Sequence, residues 1–313
     1  MSCPSSPIAD TDPAHRRRTA IGIALGLTAS LSWAFYNVSV QIGRVDGFSS
    51  ADLTILRYGG GALFLLPLLI ARRHRLADHL SLFRVVVLTI AIGPPFAFLI
   101  NSGYGLAPLA HGIVIGPGAA MLSTNILAVL FGRHTMSLHR QVGMLILVLG
   151  LAATATDQPA GSDGGPAWLG DLCFVGSGSL WGVFTYLLGR WSLDPVDTTA
   201  AVALASAICF LPIYWLAFTP AALPTGAWIE QLLYQGLLGG SFAIVVFASA
   251  VSVLGPGLAA LFPALVPPLA ALVSIPLIGT WPNTTQWVGV VLATLGLLVS
   301  LDTSRWLLKA FRR

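Results

Sequence analysis

Ten apolar stretches, each as long as a membrane-spanning helix, constrain this chain more than any other feature. A helix needs roughly 20 apolar residues to cross the hydrocarbon of a bilayer, and lipid excludes open sheets and exposed irregular backbone. The stretches cover approximately residues 20–42, 50–71, 83–104, 109–131, 139–156, 168–190, 197–218, 230–252, 256–279 and 284–302. They predict an all-α integral membrane protein with ten transmembrane helices.

The low charge content supports this prediction. Only 9% of the 313 residues are charged, whereas soluble domains carry about 25%, so most of the surface must contact lipid. The cysteines, Cys3, Cys173 and Cys209, show neither metal-binding spacing nor a disulfide framework, and we predict no cofactor and no metal. No basic run is interleaved with aromatic residues, so we predict no nucleic-acid partner.

The basic residues predict how the chain is oriented. Loops on the cytoplasmic side of a membrane carry an excess of Lys and Arg. If the N-terminus lies inside, fourteen of the sixteen basic residues fall on the inner side, with Arg44 outside and Arg57 within a span. Both termini are therefore predicted to be cytoplasmic in a bacterial inner membrane. The first stretch follows Arg16–Arg18 and is too long for a signal peptide, so it is predicted to be retained.

An internal repeat divides the chain into two halves. Gln141–Gly143 followed by Leu149–Leu151 closes the first half, and Trp287–Gly289 followed by Leu295–Leu297 closes the second, 146 residues later. Further residues pair at nearly the same offset. These pairs are Pro117 with Pro263, Phe96 with Phe242, Asp52 with Asp197, and Trp33 with Trp181. A unit of five helices ends on the opposite side from its start, so its second copy must be inverted.

Inverted repeats are a recurring architecture of transporters, with the substrate bound near the midplane between the repeats. The predicted units are a tail (1–19), a first repeat (20–156), a linker (157–167), a second repeat (168–302) and a basic tail (303–313). A membrane-embedded enzyme is the main alternative, but the metalloprotease and serine-hydrolase motifs are absent. A channel is a third hypothesis, which the lack of a repeated filter or a ring of charges disfavours.

These repeats, with their closing Val-Gly and Leu-Gly-Leu segments, resemble EamA-type members of the drug/metabolite transporter superfamily over nearly the whole chain. The resemblance implies a ten-helix bundle around a central cavity and export of metabolites across the plasma membrane. Within the superfamily, the chain is most similar to bacterial aromatic amino-acid exporters. The implied partners are a small-molecule substrate and the lipid bilayer. Other small or cationic drugs or metabolites are an alternative substrate class, and the oligomeric state stays open.

Arg57 is the one cation within a predicted span, and burying it costs on the order of 3 kcal/mol on insertion scales. It is predicted to bind a substrate carboxylate or to act as an outer gate; alternatively it snorkels outward or pairs with Asp52. His111 at the outer end of the fourth span is a second gate candidate, or else a satisfied interfacial histidine. No carboxylate lies deep in a predicted span, which favours a downhill facilitator over a proton-coupled carrier.

Trp33 and Trp181 are repeat mates near the middle of their spans, whereas the other seven tryptophans lie near span ends, as in an interfacial belt. Because a buried indole needs a hydrogen-bond partner, both are predicted to face the interior, either lining a cavity or packing between helices. Asn37 and Thr185 follow them by four residues, on the same helix faces.

Pro117 and Pro263 are predicted to break the fourth and ninth spans, because proline removes a backbone donor and frees carbonyl groups. Corresponding breaks in both halves are typical of a binding site. The complete predicted substrate-binding set is Trp33, Tyr36, Asn37, Phe96, Asn101, Tyr104, Pro117, Trp181, Thr185 and Pro263, with Arg57 and His111 as gate or carboxylate partners. For the Ser, Thr and Asn residues the alternative role is contact between helices. We predict no catalytic and no metal-binding residue.

The orientation can be tested with reporter fusions. A fusion after residue 160 is expected to report a periplasmic location, and fusions after residues 75 and 313 a cytoplasmic one, because the basic residues flank the inner loops. A cytoplasmic signal at residue 160 would contradict the inverted repeat.

Overall fold

The computed structural model describes residues 13–74, 80–132, 137–157, 163–259, 261–279 and 281–300, and these form helices without any strand. Eight helical segments are long and apolar enough to cross a membrane, and two shorter apolar helices complete the set. In chain order the spans are span 1, Pro13–Asp46; span 2, Ser50–Ala71; span 3, Leu82–Ile92 and Pro94–Leu106; span 4, Leu109–Gly132; span 5, Leu138–Ala155; span 6, Ala167–Arg190; span 7, Pro195–Ala217; span 8, Thr225–Gln231, a π-helix Leu232–Phe242 and Ala243–Leu254; span 9, Pro256–Ala259, Leu261–Ala264 and Val266–Ile278; and span 10, Thr284–Ser300. The predicted all-α, ten-helix class is confirmed.

Because ten is an even number, span 1 begins and span 10 ends on the same side of the bundle. We call this the near side and the opposite side the far side. The near side is the one predicted to be cytoplasmic.

Spans 2 and 7 run side by side and are tied at both ends by acidic repeat mates. Asp52 belongs to the capping box of span 2, and its carboxylate accepts a hydrogen bond of 2.5 Å from the Tyr214 hydroxyl of span 7. Asp197, in the first turn of span 7, accepts one of 2.8 Å from Arg72 at the other end of span 2. The two carboxylates therefore hold an antiparallel pair of helices together.

Side chains from neighbouring spans bond to the backbone at two helix breaks. Span 3 is interrupted at Gly93, where the Tyr58 hydroxyl of span 2 bonds to the carbonyls of Ile92 and Gly93. Span 9 is split near Pro263, and Ser30 of span 1 donates a hydrogen bond of 2.7 Å to the Phe262 carbonyl. Such backbone is tolerated at membrane depth only where protein or cavity water satisfies it.

The break predicted at Pro117 is wrong, because span 4 is one uninterrupted helix from Leu109 to Gly132. A single proline removes one backbone hydrogen bond. Close packing of span 6 maintains the helix, since a Cβ on Gly178 would lie 2.3 Å from the Gly116 carbonyl oxygen. Proline breaks therefore occur in spans 3 and 9, and span 8 contains a π-helix, Leu232–Phe242.

Spans 5 and 10 pack backbone against backbone through the glycines that revealed the repeat. A Cβ on Gly143 would lie 2.6 Å from the Gly296 carbonyl oxygen, and one on Gly296 would lie 2.7 Å from that of Gly143. Gly150 faces Gly289 in the same way, at 3.1 and 3.2 Å. Since Gly143 is the repeat mate of Gly289 and Gly150 that of Gly296, the contact is symmetric about the axis that relates the repeats.

Replacing Gly143 with alanine should destabilise the protein by about 1–3 kcal/mol, because the new methyl group forces spans 5 and 10 apart. Gly189 in span 6 is the matched control, since a Cβ there meets nothing within 4 Å. Gly189→Ala should stabilise the helix by up to about 1 kcal/mol. Melting temperatures of the purified variants in detergent measure both effects, and equal shifts in the two variants would contradict the packing argument.

Candidate functional site

Arg57 lies inside the bundle, with its guanidinium over two aromatic rings. The guanidinium carbon is 4.6 Å from the centre of the Tyr36 ring and 5.7 Å from that of Phe96. These are cation–π distances, each worth about 0.5–2 kcal/mol depending on desolvation. The side chain does not snorkel outward, because the two rings hold it among spans 1, 2 and 3.

The alternative pairing of Arg57 with Asp52 is wrong. Asp52 instead accepts hydrogen bonds from Ser49 and Tyr214. Among the described residues, no carboxylate lies within ion-pair distance of Arg57, and its Nη1 atom is buried without a hydrogen-bond partner. The Tyr36 hydroxyl is likewise buried and forms no hydrogen bond within normal geometry, but it interacts electrostatically with the Arg57 guanidinium.

A chain of aromatic contacts runs from Arg57 to span 6. The Phe96 ring meets Trp181 edge to face, with centroids 6.4 Å apart and an interplanar angle of 72°. Trp33 of span 1 packs against Phe247 of span 8, with ring centroids 5.4 Å apart. Trp33 and Trp181 thus each contact a phenylalanine of a neighbouring span.

Trp181 and Thr185 are exposed on the interior side of span 6. With 3.6 residues per turn, they share one helix face with Phe174 and Gly178, both of which are buried in the half nearer the far side. Trp181 is 36% exposed, and Thr185 is exposed and donates only to its own helix, to the Trp181 carbonyl. The lipid-facing surface, marked by Trp168, lies on the opposite side of the helix. The inner face of span 6 therefore becomes accessible towards the near side.

The equivalent part of span 1 is closed. The Asn37 amide donates to the Trp33 carbonyl and accepts a hydrogen bond of 2.7 Å from the fully buried Tyr104 hydroxyl. Two turns further out, Arg44 forms an ion pair of 2.5 Å with Asp163 of the linker. These contacts close the far-side end of span 1 against span 3 and the linker.

Four predicted site residues lie away from this aromatic group. Asn101 is fully buried and its amide donates to Thr54, so it joins spans 2 and 3. His111 is fully buried with Nδ1 2.6 Å from Asp171 of span 6. Pro117 lies within intact span 4, and Pro263 within the broken near-side part of span 9. The structure joins Tyr36, Arg57, Phe96 and Trp181 in one group, with Thr185 one turn beyond Trp181. Asn37 and Tyr104 form a separate hydrogen-bonded pair, and Trp33 packs against Phe247.

Sequence reasoning missed a polar contact between spans 1 and 8. Gln231 and Gln235 are buried, and their amides donate to the Ser39 carbonyl and hydroxyl at 3.1 and 3.3 Å. One turn on, the π-helix presents Gly239 to the Tyr36 ring. Two glutamines four residues apart in an apolar stretch share one helix face, and this spacing could have identified them.

Two cavities bear on the candidate site. A cavity of about 30 Å³ adjoins Arg57 and is also lined by Tyr58, Thr199 and Val202. A larger one of about 330 Å³ lies on the far side between spans 4, 9 and 10, where Asp157 accepts hydrogen bonds from Asn283 and Gln286. No predicted site residue lines the larger cavity.

Comparison with known proteins agrees with this architecture. No curated protein matches the sequence. A protein of known crystal structure superposes with a TM-score of 0.61 at 20% sequence identity, over 93% of this chain and 99% of the other; at that identity the likeness shows the fold alone. The model of the EamA-like transporter family matches residues 20–156 and 168–301. Two copies of the family unit, on a fold of two five-helix repeats, show that this chain belongs to the EamA-like transporter family.

Proposed function

We propose that this protein exports a small metabolite with an aromatic body, most simply an aromatic amino acid, by alternating access. The observation that carries the proposal is the difference between two repeat mates. Asn37 is hydrogen-bonded to Tyr104 in the closed far-side half, whereas Thr185 is exposed on the near side. Inverted repeats exchange their conformations when a transporter alternates, so the same positions should exchange accessibility.

The charge pattern supplies the direction. Because the near side carries most of the basic residues, we infer that it is the cytoplasmic side, and the exposed Thr185 supports a state that is accessible from the cytoplasm. An exporter takes up its substrate in that state.

The substrate class follows from the rings at the accessible end. Trp181, backed by Phe96 and related by the repeat to Trp33, offers an edge or face to an aromatic substrate, and such contacts contribute about 0.5–1.5 kcal/mol each. Cationic compounds are the second candidate, because tryptophan faces also attract cations. The uncompensated charge of Arg57 behind Phe96 opposes them and favours a substrate with a carboxylate.

Removing a stacking ring should weaken substrate binding. Trp181→Ala or Trp33→Ala is expected to raise the apparent KM for phenylalanine or tryptophan by roughly 2- to 13-fold, the equivalent of 0.5–1.5 kcal/mol, and Trp→Phe should be milder. Trp168→Ala on the lipid-facing surface is the control. Transport and melting temperature are measured on the same purified variants in proteoliposomes and detergent. A lowered melting temperature with unchanged KM would assign both tryptophans to packing alone.

Accessibility of introduced cysteines tests the open side. After the native cysteines are replaced by serine, Thr185→Cys should react with a membrane-impermeant thiol reagent from the cytoplasmic side. Ala107→Cys, at a position that is 1% exposed on the far side, should be protected from the periplasmic side, and a transported substrate should increase its labelling. If the Ala107→Cys variant reacted at the faster rate regardless of substrate, the proposed state would be wrong.

A further inference from the structure

Arg57 is a permanent positive charge for which the described residues supply no counter-charge. A guanidinium remains protonated at any physiological pH, and an uncompensated buried charge is strongly destabilising. The Tyr36 and Phe96 rings cover the faces of the guanidinium. They leave its Nη1 atom without a hydrogen-bond acceptor.

The cavity beside Arg57 has room for one small group. Its volume is about 30 Å³, which is enough for one water-sized occupant and about a tenth of what a whole metabolite needs. The neighbouring hydroxyls use their protons elsewhere, Tyr58 on the carbonyls at the span 3 break and Thr199 on the Pro195 carbonyl. Arg57 is therefore the charged donor at this cavity.

We propose that Arg57 binds a single anionic group in this cavity, either a chloride ion or one carboxylate of the transported substrate. Half of the lining residues are aliphatic: Ile92, Val202, Ala203 and Ile244. In a surrounding of such low polarity an anion gains from the full charge of the guanidinium, which a neutral water does not.

The repeat restricts the site to one anion. Val202 of span 7 is the repeat mate of Arg57 and lines the same cavity. The second half of the protein thus places an aliphatic side chain where the first half places the cation. One anion neutralises the cavity, and a second would find no partner.

Binding of chloride is tested without any substrate. The melting temperature of the purified protein is measured in sodium chloride and in sodium gluconate of equal ionic strength. Gluconate carries its carboxylate on a chain of hydroxyl groups, whose burial beside the Tyr36 and Phe96 rings and the aliphatic lining would leave them without hydrogen-bond partners. Chloride at about ten times its dissociation constant should raise the wild-type melting temperature by about 2–4 °C. The difference should vanish in Arg57→Gln and persist in Arg140→Gln, which removes an exposed arginine.

Ala203→Val is a second variant, because Arg57→Gln could fail to fold. The added methyl groups fill the cavity and leave Arg57 in place, so the difference between chloride and gluconate should again vanish. A difference that is equal in wild type, Arg57→Gln and Ala203→Val would assign the salt effect to the surface and overturn the inference.

Binding of the substrate carboxylate is tested by the melting temperature in sodium gluconate, with added phenylalanine or with phenylalaninamide, which lacks the carboxylate. Stabilisation by phenylalanine alone, weakened by added chloride and absent in Arg57→Gln, would identify the substrate carboxylate as the anion. The phenylalanine experiment rests on the proposed substrate, whereas the chloride experiment does not. The anion site and the proposed function can therefore fail separately. A wild-type melting temperature that responds to neither chloride nor phenylalanine would overturn the anion site.

Discussion

The structure depends on the requirement that every backbone polar group be satisfied where no water can do so. Regular helices meet it internally, but this chain departs from regular helices in spans 3, 8 and 9. At each break of spans 3 and 9 a side chain of another span bonds to the backbone, Tyr58 to the Ile92 and Gly93 carbonyls and Ser30 to the Phe262 carbonyl. The breaks are therefore also contacts between spans. Tyr58 follows Arg57 directly in span 2. The hydrogen bonds of Tyr58 to span 3 therefore also hold the backbone of Arg57 in position.

The elements that were predictable are those that depend on composition and repetition. The apolar stretches and the repeated Val-Gly and Leu-Gly-Leu segments gave the helix count and the two units, and the structure explains the glycines as the contact between spans 5 and 10. The fate of individual prolines was not predictable. Pro117 and Pro263 are repeat mates, yet span 4 stays intact and span 9 breaks, because the outcome depends on which residues of other spans pack against each helix.

The composition of the site was predictable in part. The position of Trp33 and Trp181 near midspan indicated interior residues, and both contact a phenylalanine of another span. Asn101 and His111 have the same polar character, but their partners, Thr54 and Asp171, are distant in the sequence. A single sequence does not reveal such partners, and they decide whether a polar side chain joins two helices or faces a substrate.

The two halves of the site perform different tasks although they descend from one pattern. Span 1 carries Asn37 and Arg44, which close the far side through Tyr104 and Asp163. At the mates of these positions span 6 carries Thr185 and, just beyond its end, Ser192, neither of which can form an ion pair. The far side thus carries a charged contact between span 1 and the linker that the mates of these positions lack, whereas the near side is joined by a different ion pair, between Arg72 and Asp197. In the proposed alternating-access cycle a different contact must open for each state, and a substrate shifts the balance only through differential binding to the two states.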